Sequence, residues 1–132
     1  MAKMKLSIEK ILKAHGLKLP LPTSNDEFFV KIENKPYMSL CIERVFGYAP
    51  AIAVQHSYVL NGDVMFDPEI VYRMSDWQPL EITQDAVGIH RRAIDSDYMV
   101  KDVLSLSSLW AKNLLDQGFA DTSRAKVAKR GE

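Results

Sequence analysis

The sequence predicts an α+β domain. The expected architecture is a twisted antiparallel sheet of four to six strands, with a long C-terminal helix packed on one face and a short N-terminal helix beside it. Three observations predict it. Short runs of alternating apolar and polar residues recur between Phe28 and Leu80, separated by Gly, Pro and Asn. Asn61-Gly62 joins two of these runs with a pair that tolerates positive φ, as a type I′ hairpin turn requires. The stretch from Asp97 to Gln117 instead repeats its apolar residues every three or four positions.

Taken in order, residues Met4 to His15 read as a short helix. Leu6, Ile8, Ile11 and Leu12 form its apolar stripe, and Lys5, Glu9, Lys10 and Lys13 lie mostly off it. Gly16 followed by Leu17 matches a helix C-terminus that ends in a left-handed glycine. Pro20 and Pro22 break the chain, and residues 23–26 read as loop. Phe28, Val30 and Ile32 then alternate with Phe29, Lys31 and Glu33 as a strand. Asn34-Lys35-Pro36 turns the chain, and Met38, Leu40 and Ile42 alternate with Ser39, Cys41 and Glu43. After a turn at 47–50, a third run extends from Ala51 to Leu60, with Ile52, Val54, His56 and Tyr58 on one parity. Consecutive antiparallel connections of this kind make a meander.

The run after Asn61-Gly62 is the unusual one. Val64, Phe66, Ile70 and Tyr72 share one parity and are expected on the core face. Asp67 and Glu69 share the other, about 7 Å apart. Pro68 lies between them and cannot donate a ladder hydrogen bond, which suggests an edge strand or a bulge. Asp63, Asp67 and Glu69 therefore form a candidate polar site. The competing reading is a solvated sheet face, which also collects Glu33, Glu43 and Gln55. His56 sits among apolar residues, where a hydrogen-bonded core histidine competes with a base or ligand.

Trp77, Leu80 and Ile82 mark a further short strand beside Pro79, followed by Gln84-Asp85 and Gly88 in a loop. His90, Arg91 and Arg92 are the densest basic cluster of the domain body. Arg91 and Arg92 are candidates for an anion, and exposed arginines are the alternative. Asp95, Ser96 and Asp97 offer N-caps to the long helix. Its stripe is Met99, Val103, Leu106, Trp110 and Leu114, flanked by Val100, Leu104, Leu109 and Leu115. Trp110 is its expected anchor, and Gly118-Phe119 repeats the capping pattern of Gly16-Leu17. Residues 1–119 are expected to form the domain, and residues 120–132 a polar, basic, disordered tail.

Composition narrows the function classes. The 132 residues carry a formal net charge of zero, so no global field favours nucleic acid. A single cysteine, Cys41, excludes an internal disulfide and any multi-cysteine zinc site. It is expected to be a small buried hydrophobe in a reducing compartment. No apolar run approaches a membrane span of about 20 residues, and no secretion signal is expected near the N-terminus. There is no phosphate loop, no dinucleotide fingerprint and no paired histidine motif, so no cofactor is implied.

Pro36-Tyr-Met-Ser-Leu40, Asn61-Gly-Asp63 with Asp67-Pro-Glu69, Trp77 with Pro79-Leu80, Gln84-Asp85 with Gly88, and Trp110 with Gln117-Gly-Phe119 together resemble a small bacterial and phage family of unknown function. The resemblance spans roughly Pro36 to Phe119. It implies a cytoplasmic accessory protein of phage or other mobile elements and supplies no catalytic residue.

Three functions are compatible with these residues. The first is a non-catalytic binding protein acting through a protein partner or as a homodimer. It predicts an exposed apolar patch. The second is a metal-dependent hydrolase or nuclease, with Asp63, Asp67, Glu69 and Asp85 around a hard cation and His56 or His90 as base. It requires those carboxylates to converge. The third is nucleic-acid binding through Arg91, Arg92 and the basic tail, which the zero net charge disfavours.

Overall fold

The computed structural model describes every residue except Met1, Tyr48, Ala86, Val87, residues 93–96 and Glu132. Its elements are α1 (Lys3–Ala14), β1 (Phe29–Glu33), β2 (Ser39–Val45), β3 (Ala51–Leu60), β4 (Asp63–Arg73), β5 (Pro79–Gln84), β6 (Ile89–Arg92), α2 (Asp97–Asp116) and β7 (Lys126–Gly131). All seven strands join one antiparallel sheet in the order β6-β5-β4-β3-β2-β1-β7. The α+β class and the meander hold. The sheet is larger than the expected four to six strands because β6 and β7 close its two edges.

The strand β7 corrects the reading of residues 120–132 as an unpacked tail. Its polar composition hid it, but it pairs with β1 from Phe29↔Gly131 to Glu33↔Lys126. Ala125, just before it, is fully buried, and Val127 packs against the core. Backbone ladder bonds do not depend on side-chain hydrophobicity, so a basic segment can fill a sheet edge.

Both helices end as their sequences predict. Leu17 N–H bonds the Leu12 carbonyl at 2.8 Å and Gly16 N–H bonds Lys13 at 3.1 Å. Phe119 N–H bonds Leu114 at 3.2 Å and Gly118 N–H bonds Leu115 at 3.1 Å. These paired bonds satisfy the last orphan carbonyls of each helix, and they need the positive φ of Gly16 and Gly118. The buried stripe of α1 is shifted from the expected one. Met4, Ser7, Ile8, Ile11 and Leu12 are buried, whereas Leu6 is 49% exposed. Ser7 fits inside because its hydroxyl donates to the Ala111 carbonyl of α2 at 3.0 Å. On α2, Val103, Trp110, Ala111 and Leu114 are buried, and Leu104 and Leu109 face outward. Asp95 and Ser96, two of the expected N-caps, lie outside the described residues.

The two helices cover one face of the sheet. Val30, Ile32, Leu40, Ile42, Ile52, Val54, Ile70 and Tyr72 point into that core, each at most 1% exposed. The opposite face carries its own small apolar cluster of Ala51, Ala53, Val71 and Leu80. Among the described residues, no helix is long and apolar enough to cross a membrane.

Candidate functional site

The acidic strand is built differently from simple alternation. Gln55 pairs with Glu69 and Ser57 pairs with Phe66, so two residues of β4, Asp67 and Pro68, stand against His56 alone. This is a β-bulge at the proline. One extra residue flips the parity beyond it, so Phe66 falls on the same face as Glu69 and not with Ile70 and Tyr72. That corrects the expected core set: Phe66 is half-buried and Val64 is 61% exposed.

The candidate carboxylates take different places around the bulge. Asp63 is exposed beside the Asn61-Gly62 turn, where Asn61 has φ 52° and Gly62 φ 86°. Asp67 is in the bulge. Asp85 Oδ2 accepts the Phe66 N–H at 2.7 Å and fastens β4 to the end of β5. His56 is buried on the helical face. Its Nδ1 donates to the Ser39 carbonyl at 3.3 Å, and its ring lies 5.3 Å from Trp110 and 5.7 Å from Phe119. The sheet itself stands between His56 and Glu69. Burial lowers the pKa of His56 below its ordinary value, against the raising effect of the Ser39 and Met38 carbonyls. Among the described residues no three His, Cys, Asp or Glu side chains gather as a metal cage would need.

Of the named residues, Glu69 and His90 do share a surface. The register aligns Lys31, Cys41, Gln55, Glu69, Thr83 and His90 as one cross-strand row on the face away from the helices. Gln55 Nε2 donates to Glu69 Oε2. Burial raises the Glu69 pKa, Gln55 lowers it, Glu43 and Glu81 raise it, and His90 lowers it. Cys41 in the same row is 5% exposed, and burial pushes its thiol up. The row is a polar strip beside the small apolar cluster, and Glu69 is its one carboxylate with a displaced proton affinity.

The basic residues do not form one surface. Arg91 and Arg92 are on β6, and Lys126, Lys129 and Arg130 are on β7, at opposite edges of the sheet. Six strand spacings of about 4.8 Å place the edges roughly 29 Å apart measured along the sheet.

Two features were not legible beforehand. The first is a projection. β2 pairs with β3 only as far as Ser39↔Ser57, and β5 pairs with β4 only as far as Thr83↔Glu69. Beyond these pairs Asp85 still holds Phe66, and among the described residues, positions 58–60 and 63–65 extend past β2 and β5 as a two-stranded ribbon. Val59, Leu60 and Val64 on this ribbon are 70%, 50% and 61% exposed. The second is Arg44, only 6% exposed without a carboxylate partner among the described residues. Its guanidinium donates to the carbonyls of Leu21, Pro22 and Ser24, the last at 2.7 Å, and stacks 5.0 Å from the Phe46 ring. An arginine on an otherwise apolar parity gave no sign that it would pin a distant loop.

No curated protein and no solved structure matches this chain. One family description, a domain of unknown function (DUF6908), matches residues 6–120. That span includes most of α1, the sheet from β1 to β6, and α2 with its C-cap, and the chain belongs to this DUF6908 family.

Proposed function

We propose that this protein is a non-catalytic binding module that acts through protein contacts, with the β3–β4 hairpin as its contact element. The observation that carries the reading is the projecting ribbon, with Val59, Leu60 and Val64 each at least half exposed within six residues. Single exposed apolar residues are ordinary, but a projecting tip with Val59 and Val64 paired on one face and Leu60 on the other leaves area in water that a partner can bury. Burial contributes about 25 cal/mol per Å² of apolar surface. The same reading is supported by His56 facing the helices, across the sheet from Glu69, and by no three His, Cys, Asp or Glu side chains gathering as a metal cage among the described residues. A cytoplasmic, mobile-element setting belongs to this proposal through the motif resemblance.

The test is a photo-crosslinking side chain in place of Leu60, with an exposed control at Ser105. A discrete adduct from position 60 that position 105 does not give is expected. The same adducts from both positions would remove the hairpin as the contact element.

A further inference from the structure

We propose that the partner of the hairpin is a second copy of this chain, which receives it in the groove between α1, residues 17–22 and the β4–β5 turn. This rests on the hairpin reading and adds its occupant. The groove is a cavity of about 400 Å³ with Leu12, Leu17, Leu21, Met74 and Trp77 among its lining. Its wall is built rather than incidental. Arg44 holds the carbonyls of Leu21, Pro22 and Ser24, so the loop side is fixed from beneath. On the opposite side Trp77 adopts φ 59°, a left-handed conformation that side chains other than glycine rarely take. Its N–H bonds the Arg73 carbonyl at 2.7 Å, and its ring lies 5.2 Å from Tyr72.

Charge selects the occupant. Lys5, Lys13 and Lys18 line the groove with one acid, Glu9. None of the three lysines pairs with a carboxylate among the described residues. The hairpin carries the matching pattern, with apolar Val59, Leu60 and Val64 beside Asp63 and Asp67. An apolar, acidic tip thus meets an apolar, cationic groove. The two surfaces cannot meet within one molecule. The tip lies at one end of β4 and Met74 follows its other end, an 11-residue strand away, which is roughly 30–36 Å. Unlike surfaces on the two copies make a heterologous contact, so copies add head to tail until a ring closes. A hairpin tip is small beside the ~800 Å² per partner of a standard interface. The association is therefore weak, concentration-dependent and reduced by salt.

Sedimentation analysis over a concentration series at low salt tests this. The variants are Leu60→Asp at the tip and Leu21→Asp in the groove, both at side chains at least half exposed, which leaves the fold undisturbed. The wild-type mass is expected to rise with concentration, and each variant alone to weaken association at least tenfold. An equimolar mixture of the two variants is expected to regain one contact per pair, from the intact tip of one to the intact groove of the other. A charge exchange, Asp63→Lys with Lys18→Asp in the same chain, is expected to restore what either change removes. A wild-type monomer at every concentration overturns the proposal, even if position 60 crosslinks to another protein, and the hairpin reading then stands alone. Association lost in Leu60→Asp but retained in Leu21→Asp overturns the groove as the seat. Association indifferent to Leu60→Asp, together with no specific adduct from position 60, overturns both readings.

Discussion

Tyr72 and Ser107 share a buried hydrogen bond of 2.7 Å between β4 and α2. Burial pushes the Tyr72 phenol well above its ordinary value, so the hydroxyl stays protonated. Tyr72→Phe leaves the Ser107 hydroxyl unpaired in a dry site and is expected to cost about 1–3 kcal/mol. Tyr72→Phe combined with Ser107→Ala should cost less than the sum of the single changes, because neither polar atom is then stranded. Urea unfolding of the four proteins measures this, and additive losses would show that the bond carries nothing. Glu69 and His56 give opposite pH dependences. Folded Glu69 holds its proton to higher pH than the ordinary 4.5, so its contribution falls as pH rises through that window. Glu69→Gln keeps an acceptor for Gln55 and is expected to raise the melting temperature at pH 7 and not at pH 4. An equal effect at both pH values would remove burial of the charge as the cause. Folded His56 takes up its proton below the ordinary 6.5, so stability falls as pH drops beneath that value. His56→Phe should flatten this acid-side slope in pH-dependent melting.

At the scale of elements, β7 and the β4 bulge carry the consequences. β7 covers the edge of β1, whose Val30 and Ile32 are fully buried. Ending the chain at Ala125 removes that ladder and is expected to cost about 2–4 kcal/mol, at roughly 1 kcal/mol or less per lost hydrogen bond. Denaturant unfolding of the truncated chain checks it, and an unchanged midpoint would make β7 an ornament of the edge. The bulge has a different consequence. Its extra residue lets Ile70 and Tyr72 face the helices while Phe66 turns to the face of Glu69. The pattern of residues 63–73 contained the proline that announces a bulge. It could not say which side of the proline kept the core phase, because that depends on pairing with Gln55 and Ser57.

Across the whole molecule, both helices lie on one side, and the sheet ends in two edge strands of basic character. Lys126, Lys129 and Arg130 mark β7, and Arg91 and Arg92 mark β6. Charged edges resist pairing with other sheets. Replacing Lys126 and Lys129 with Gln is therefore expected to increase light scattering on heating. Less aggregation from that variant would remove the protective role. The open face carries the Glu69 row with the apolar cluster beside it, and the hairpin and groove lie at opposite ends of the long central strands.

The sequence by itself determined the α+β class, the two helices with their glycine caps, the Asn61-Gly62 turn and the strands from β1 to β5. These depend on local quantities: side-chain period, φ preference and capping hydrogen bonds. Of the candidate site it identified Glu69 and His90 as residues of interest, without the row that joins them. Tertiary structure alone decided that Asp85 caps the Phe66 N–H beside the bulge, that His56 faces the helices, and that a basic segment becomes the seventh strand. It alone made the hairpin project, since projection depends on where β2 and β5 stop. The reason is common to all of these. Cross-strand register and burial are sums over residues distant in the chain, and a single strand's pattern holds only one side of each pair.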